Sequence, residues 1–301
     1  MRHIPVLLNE VVDSLSLKNG SKVIDCTVGD GGHSEAILEK IGPTGILLAI
    51  DTDPESLLRA KRNLYRFGER VIFSRGNFVN LEEIALENKM GEVDAILMDL
   101  GWSTPQFEER GRGFSFKADE LLDMRFDPNA NTPTASDLVN SLTKKELSET
   151  FKRLGEEGLS EEIADAIVTS RSNARIERSG ELSEIVLQVY RAKLHTVKDI
   201  PWVGGLHPAT KVFQALRIAV NKELEVLKNT LPVAVKILAP GGRLAVISFH
   251  SLEDRIVKQF FQKTESKQIK LINKKPIVAT EAEIGPNPSS RSAKLRIAEK
   301  I

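Results

Sequence analysis

The chain has 301 residues, which at about 150 residues per domain corresponds to two domains or one large domain with an insertion. Hydrophobic residues make up 41% and charged residues 28%, a balance typical of globular domains that argues against disorder and fibrous repeats. Lys plus Arg and Asp plus Glu both number 42, so the net charge gives no reason to expect a polyanionic partner, although a local basic patch could bind one. The single cysteine, Cys26, excludes an intrachain disulfide and a cysteine-rich zinc site. With no signal peptide or membrane span predicted, we expect a cytoplasmic protein.

The first hundred residues alternate between short apolar runs, typical of buried strands, and segments with apolar residues at helical spacing. The third of these helices is expected to begin at Pro54, with Asp53 as its cap. The alternation predicts right-handed βαβ units and a parallel, doubly wound sheet. The predicted strands are 22–26, 46–50, 70–74 and 93–100, and the predicted helices are 8–15, 34–41, 54–64 and 81–88.

The strand pattern stops between about residue 107 and residue 207. Helical spacing instead predicts one helix over 143–170, another over 182–194, and a long helix over 212–227 after His207-Pro208. A buried strand then follows at 243–249. We therefore expect an α/β domain with an inserted all-helical domain. The expected ranges are 1–107 and 208–301 for the α/β domain and 108–207 for the insertion.

A glycine-rich run follows the first predicted strand, with the sequence Asp-Cys-Thr-Val-Gly-Asp-Gly-Gly-His over residues 25–33. Small residues at such a turn let the backbone approach a ligand, and the next helix offers free N–H groups at its start. Asp51 ends the second strand, where a carboxylate can accept hydrogen bonds from both hydroxyls of a ribose. Together these features favour a nucleoside cofactor over a tight turn with an incidental acid.

The glycine spacing narrows the choice of cofactor. A dinucleotide fingerprint needs glycine at the third position of G-x-G-x-x-G, whereas here Gly29 and Gly31 are followed by Ser34. The run more closely resembles the D-x-G-x-G-x-G loop of class I S-adenosylmethionine methyltransferases, with Thr27 in place of the first glycine. A nicotinamide-dependent oxidoreductase is thus the less favoured alternative.

The fourth predicted strand ends in Met-Asp-Leu-Gly-Trp-Ser over residues 98–103. Ligands of α/β sheets bind beyond the carboxyl ends of the strands, so Asp99 is expected to face the reactive end of the cofactor. An acid, a turn and an aromatic residue have the outline found in amino-methylating enzymes, here without the usual prolines. Asp99 could polarise an amine or only bind the cofactor, and the sequence leaves both roles open.

Nine stretches, spread from end to end of the chain, resemble the bacterial 16S ribosomal RNA cytosine-N4 methyltransferases, the RsmH (MraW) family. The most specific is the run His-Ser-Leu-Glu-Asp-Arg at 250–255. Three residues depart from the family pattern: Trp102, Leu121 and Phe126. The stretches are 3–7, 31–34, 98–106, 112–116, 122–125, 207–211, 213–217, 247–255 and 291–296.

The resemblance implies a Rossmann-like class I fold, S-adenosylmethionine as cofactor, and methylation of the N4 amine of a cytidine in the decoding region of 16S ribosomal RNA. The substrate would be the small ribosomal subunit, with the inserted helical domain contributing to its recognition. No metal site is expected, and His250 is a candidate near the substrate. The implied cofactor contacts are Gly31, Gly32 and His33 on the methionine side, Asp51 at the ribose, Phe78 at the adenine, and Asp99 and Gln106 completing the pocket.

Charge patterning suggests where an RNA would be held. Residues 59–75 and residues 262–301 each carry a net charge of +5, which is also compatible with ordinary solvated surfaces. We expect phosphate contacts in the tail, around Lys274-Lys275 and residues 291–296. Two further alternatives remain at this point: a methyltransferase of the same fold that acts on DNA or a small molecule, and a cofactor-binding RNA assembly factor without transfer activity.

Overall fold

The computed structural model describes residues 4–101, 111–116, 118–198, 200, 202–203 and 205–301, and every element named here lies within them. The strands are β1 (Lys22–Asp25), β2 (Ile46–Asp51), β3 (Val71–Arg75), β4 (Val93–Asp99), β5 (Leu238–Ser248), β6 (Ile269–Leu271) and β7 (Lys294–Lys300). The helices are α1 (Leu8–Ser14), α2 (Gly32–Lys40), α3 (Pro54–Asn63), α4 (Leu81–Glu87), α5 (Ala135–Ser141), α6 (Lys144–Leu154), α7 (Ser160–Arg171), α8 (Ser179–Lys193), α9 (Thr210–Asn221), α10 (Glu223–Ile237), α11 (Ser251–Thr264) and α12 (Glu281–Ile284).

The strands form one seven-stranded sheet in the order β3-β2-β1-β4-β5-β7-β6. Strands β1 to β5 are parallel, as predicted, and β1 lies between β2 and β4. The chain therefore winds outward in both directions from the β1–β4 pair, whose carboxyl ends form the switch point at which such sheets bind ligands. This doubly wound, Rossmann-like arrangement is the fold expected of a class I methyltransferase.

One edge of the sheet is antiparallel, which the sequence pattern did not predict. Strand β7 pairs antiparallel with both β5 and β6, so β6 runs in the same direction as β5. Neighbouring residues of β1 point to opposite faces of the sheet, and Val23 and Ile24 accordingly belong to two separate apolar clusters. Burial on both faces explains why these strands are continuous apolar runs in the sequence.

The chain divides into two compact units: Met1–Ser103 with Leu224–Ile301, and Thr104–Glu223. The first holds the sheet, and the described helices of the second are α5 to α9. The boundaries expected from sequence were 107/108 and 207/208. Helix α9 packs on α6 and belongs to the helical unit, so the second boundary lies at 223 rather than at 207.

Two predicted helices are interrupted. The helix expected over 143–170 is two helices, because Gly155 ends α6 and Glu156 takes a left-handed backbone conformation with φ of 51°. The helix expected over 212–227 ends at Lys222, which also has φ of 51°. Beyond this break, Glu223 pairs with Arg217 through a 2.7 Å Nε–Oε1 contact, with both side chains buried. In both cases the apolar residues on which the prediction was based lie in helices on either side of the break.

The two ends of the chain are joined by hydrogen bonds. The main-chain N–H of Leu7 donates to Oε1 of Glu283 at 2.7 Å, and Nδ2 of Asn287 donates to the carbonyl oxygen of Ile4 at 3.1 Å. The N-terminal segment is thereby fixed to the region around α12 before α1 begins. Among the described residues, no helix combines the length and apolar character that a membrane span requires.

Candidate functional site

The loop after β1 is organised by Asp25, the last residue of that strand. Its Oδ2 accepts a hydrogen bond from Ser34 Oγ at 2.6 Å, and its Oδ1 accepts one from the main-chain N–H of Thr27 at 3.1 Å. Burial raises the pKa of Asp25, although these two hydrogen bonds favour the ionised form and oppose the shift. Asp25 thus connects the loop to the start of α2, which fixes the position of the glycine-rich run.

The glycines of this loop have different roles. Gly29 and Gly31 have φ of 52° and 84°, a region that side-chain-bearing residues rarely adopt. A β-carbon on Gly32 would lie 2.3 Å from Cγ of Pro5, so at this position glycine is required by the packing of the N-terminal segment. The expected contacts of Gly31 and Gly32 with the methionine side of the cofactor stay predictions, since the positive φ of Gly31 and the packing of Gly32 on Pro5 each account for a glycine without a ligand.

Asp51 lies at the carboxyl end of β2 and is half-buried. Its Oδ2 accepts a hydrogen bond from the main-chain N–H of Gly29, and its Oδ1 accepts one from that of Asp53, both at 2.9 Å. A carboxylate oxygen can accept more than one hydrogen bond, so this geometry fixes the group without exhausting its capacity. The arrangement is compatible with the predicted ribose contact and explains why the carboxylate is ordered at this position.

Phe78 begins a short 3-10 turn after β3 and is half-buried. The ring packs against the apolar cluster on one face of the sheet, and its carbonyl oxygen accepts a hydrogen bond from Thr230 Oγ1 at 3.2 Å. The residue is not fully buried, which is compatible with a stacking role. The adenine contact expected of Phe78 remains a prediction.

Asp99 ends β4, beside β1 at the switch point of the sheet. Its main-chain N–H donates to Thr27 Oγ1 at 2.8 Å, and its Oδ2 lies 3.5 Å from Nδ1 of His33. The side chain retains 19% of its accessible surface, and Oδ1 is buried with no hydrogen-bond partner among the described residues. A buried acceptor of this kind is costly unless another group, such as a ligand, supplies a donor.

The electrostatic environment of Asp99 disfavours its charge. Burial is the largest cause, and the negative charges of Asp25 and Glu253 add to it, so that the pKa of Asp99 lies well above its usual value. Carboxyl groups with a raised pKa at the end of a central strand are common at functional sites. Asp99 is therefore the strongest candidate for a role in proton transfer.

His33 lies in the first turn of α2 and is buried. Its Nε2 lies 2.9 Å from the carbonyl oxygen of Val6, which can only accept, so Nε2 carries a hydrogen. Its other nitrogen, Nδ1, faces the Asp99 carboxyl group. His33 therefore connects the N-terminal segment to the acid at the end of β4.

Two residues with reactive side chains have structural roles. The Cys26 thiol is buried, and burial together with the charge of Asp25 raises its pKa well above the usual value, which keeps it protonated and unreactive. His250 caps α11: its Nδ1 accepts from the main-chain N–H of Glu253 at 3.4 Å, and Glu253 Oε2 accepts from that of Phe249 at 2.9 Å. The expected proximity of His250 to the substrate remains a prediction.

The structure brings Gly31, Gly32, His33, Asp51 and Asp99 to the carboxyl edge of the sheet, and Phe78 follows β3 at the same edge. Gln106 and Trp102 lie outside the described residues. Sequence reasoning missed the roles of Thr27, which holds the Asp99 backbone, and of Glu253, which acts on Asp99 from far along the chain. The only feature of the sequence that could have indicated this role of Thr27 is a threonine at the position where the loop motif has its first glycine.

The basic tail is only partly available to a partner. Arg296 is buried and pairs with Asp254 through a 2.6 Å Nε–Oδ1 contact, so the expectation that it contacts phosphate is wrong. Lys274, Lys275 and Arg291 are exposed. They follow β6 and precede β7, which places them at the same edge of the sheet as Asp99.

Comparison with known proteins identifies the sequence family. The model of the MraW methylase family matches residues 1–301. Ribosomal RNA small subunit methyltransferase H of Desulfosudis oleivorans is 43% identical, covering 100% of this chain and 99% of that protein. The protein of the same name from Paenibacillus sp. is 44% identical with the same coverage.

Similar solved structures include an rRNA methylase from Streptococcus thermophilus, with a TM-score of 0.47, 11% identity and coverage of 100% and 99% of the two chains. Another is a SAM-dependent O-methyltransferase from Thermotoga maritima, with a TM-score of 0.44, 12% identity and coverage of 100% and 68%. The family assignment depends on the sequence comparison, which extends over the whole length. This chain belongs to the MraW methylase family.

Proposed function

We propose that this protein transfers a methyl group from S-adenosylmethionine to the N4 amine of a cytidine in 16S ribosomal RNA, within the decoding region of the small subunit. The observation that carries the proposal is the placement of two acids, Asp51 and Asp99, at the carboxyl ends of strands on either side of β1. The family and the names of its ribosomal RNA methyltransferase members support the substrate class.

The residues at the sheet edge fit this cofactor. Asp51 is a carboxylate oriented by two main-chain donors, which suits it to accept hydrogen bonds from ribose hydroxyls. The start of α2 supplies main-chain N–H groups beside the loop, and Phe78 offers an aromatic face. Oδ1 of Asp99, buried and unsatisfied among the described residues, provides an acceptor at the place where a donor from a ligand is needed.

The chemistry requires little covalent participation by the protein. S-adenosylmethionine supplies a methyl group already activated by its positively charged sulfur. The protein has to hold the amine nitrogen in line with that methyl group, which is a matter of orientation. The lone pair of the nitrogen is delocalised into the cytosine ring, so an acceptor that polarises one N–H bond increases its nucleophilicity. Asp99 is the residue to which we assign this acceptor role.

The direct test is transfer of a labelled methyl group to purified 30S subunits, naked 16S RNA, DNA and free cytidine in parallel reactions. We expect label in 30S subunits taken from a strain that lacks the endogenous enzyme. Mass spectrometry of the digested RNA should show N4-methylcytidine in a fragment of the decoding region. Methylation of DNA or free cytidine at a comparable rate, or transfer to another atom, would contradict the proposal.

The cofactor is tested separately by the melting temperature of the protein. S-adenosylmethionine or S-adenosylhomocysteine should stabilise the folded protein by RT ln(1 + [L]/Kd) and so raise the melting temperature, whereas NAD should not. Stabilisation by NAD alone would favour an oxidoreductase. Cofactor binding without transfer to any RNA would favour an assembly factor.

A further inference from the structure

The charges of α11 are sorted by sign between its inner and outer sides. Both of its acids lie in the first turn and have partners within the molecule. Glu253 is buried, and its Oε2 accepts a hydrogen bond from the main-chain N–H of Phe249 at 2.9 Å. Asp254 pairs with Arg296 of β7, which is buried, through a 2.6 Å Oδ1–Nε contact. The negative charge of this helix is therefore directed toward the sheet.

The opposite side of α11 carries cations and amides. Arg255, Lys258, Gln259 and Gln262 are exposed and are spaced at i, i+3, i+4 and i+7, which places them on one face of the helix. Lys263, the next residue, is also exposed. No acid within the described residues pairs with Lys258 or Lys263, and no exposed residue of α11 is acidic. These five residues form the α11 outer face, whose cations span about 12 Å at about 1.5 Å per residue.

The α11 outer face begins beside the candidate site. Helix α11 starts at Ser251, directly after the carboxyl end of β5, and Ile247 of β5 is the strand partner of Asp99. The helix then runs away from this edge of the sheet. An RNA strand whose target nucleotide reaches Asp99 brings its neighbouring phosphates to the same edge, where the cations of α11 begin.

We propose that the α11 outer face binds the sugar–phosphate backbone of the RNA strand that carries the target cytidine. The proposal rests on the proposed function, which supplies the RNA. Lysine and arginine neutralise phosphates and release their counterions, and glutamine amides donate hydrogen bonds to phosphate and ribose oxygens. Such contacts fix the position of a strand without reading its bases. Arg296 contributes indirectly, because its pair with Asp254 neutralises an acid of the same helix.

The experiment is the salt dependence of binding to 30S subunits, measured without methyl transfer. In Lys258→Gln with Lys263→Gln, the slope of log K against log salt concentration should become shallower by about 1.4–1.8, or about 0.7–0.9 for each lysine. The loss of affinity should narrow as salt rises, and the affinity for S-adenosylmethionine should stay at the wild-type value. Both side chains are exposed, so the fold should be retained.

Two further variants serve as controls. Lys258→Arg with Lys263→Arg keeps both charges and should bind with the wild-type slope. Lys18→Gln with Lys89→Gln removes two exposed lysines at the opposite edge of the sheet and should also keep that slope. An unchanged slope in the glutamine variant of α11, or an equal reduction in either control, overturns the proposal.

Naked 16S RNA distinguishes the partner. A reduced slope with 30S subunits but not with naked RNA would mean that the α11 outer face binds a ribosomal protein, which also overturns the proposal. Binding requires no methyl transfer, so the proposed reaction is tested separately. Wild-type protein that binds RNA but methylates none contradicts the proposed function alone. Wild-type protein that methylates 30S subunits, with an unshifted slope in the glutamine variant, contradicts only the assignment of this surface.

Discussion

The main-chain N–H of Asp99 donates a hydrogen bond of 2.8 Å to Oγ1 of Thr27. The acid at the end of β4 is thus held by a side chain from the loop after β1, across the switch point of the sheet. Thr27 occupies the position at which the loop motif usually has glycine. At this position the hydroxyl provides a link between the two strands that a glycine could not form.

Replacement of Thr27 by Val tests this link. The side chains are similar in size, so the main changes are the loss of the acceptor for the Asp99 N–H and of the hydroxyl's hydrogen bond to Asp25. We expect a loss of about 1–3 kcal/mol in the free energy of unfolding, because a partly buried donor is left unsatisfied. Turnover should fall as well, since the carboxyl group is no longer fixed. Urea denaturation measures the first effect, and Thr27→Ser, which keeps the hydroxyl, is the control that should stay near wild type.

Asp51→Asn tests the ribose contact. The amide keeps one oxygen acceptor for the main-chain N–H of Gly29 or Asp53 but loses the charge and one acceptor. Affinity for S-adenosylmethionine should decrease by about 1.5–3 kcal/mol, the range for hydrogen bonds to charged groups, with a smaller effect on folding. Isothermal titration calorimetry measures this change in affinity. Wild-type affinity in this variant would mean that Asp51 only organises the loop.

Asp99→Asn should change the pH dependence of stability. The pKa of Asp99 is raised in the folded protein, so above about pH 4 the unfolded chain loses this proton while the folded chain keeps it. The folded state then binds more protons, and its stability decreases as pH rises toward the folded pKa of Asp99. The variant lacks this loss. Its free energy of unfolding relative to wild type should therefore increase between pH 4 and pH 8 in urea titrations, and a constant difference would contradict the prediction.

The exposed lysines at the carboxyl edge of the sheet should contact RNA. Lys274→Ala with Lys275→Ala should weaken binding to 30S subunits and reduce the salt dependence of the binding constant by about two counterions, one for each lysine. The matched control is Lys18→Ala with Lys89→Ala, since these exposed residues precede β1 and β4 at the opposite edge. An equal loss in both double variants would exclude a specific surface around Lys274 and Lys275.

The helical unit should be dispensable for cofactor binding. Both apolar clusters around the sheet consist of residues from the first unit alone. Replacement of residues 107–223 by a Gly/Ser linker, which keeps Gln106, should thus leave a folded protein that binds S-adenosylmethionine, with methylation of 30S subunits lost. Circular dichroism checks folding, calorimetry checks cofactor binding, and the methylation assay checks the loss of transfer. An unfolded variant would show that the unit is needed for the core, and an active one that it plays no part in substrate recognition.

The sheet and its site were predictable from sequence to different degrees. Strands β1 to β4 are continuous apolar runs because both faces are buried, and their ends were predicted within one or two residues. Strand β7 was missed because its pattern is broken by Arg296, a buried charge that is stable only through its pair with Asp254. Such long-range compensation leaves no local signal in the sequence.

The same limit applies to the site. Asp51 and Asp99 could be placed from their positions at strand ends, which is local information. The contacts that determine the behaviour of Asp99 come from elsewhere: Thr27 and His33 are separated from it by more than one βα unit, and Glu253 follows β5. A carboxyl group could therefore be assigned to the site from sequence, but the charges that act on it could not.

The hydrogen bonds that join the two ends of the chain affect the order in which the molecule is completed. Leu7 and Ile4 are held by Glu283 and Asn287, and Val6, which lies between them, is the partner of His33. During synthesis, the residues that hold the N-terminal segment emerge from the ribosome after β1 to β6. A growing chain can form β1 to β4 earlier, yet the surroundings of His33 stay incomplete. The contacts that fix the N-terminal segment beside His33 therefore form only after residues 283–287 have been synthesised, well after the strands that carry Asp51 and Asp99.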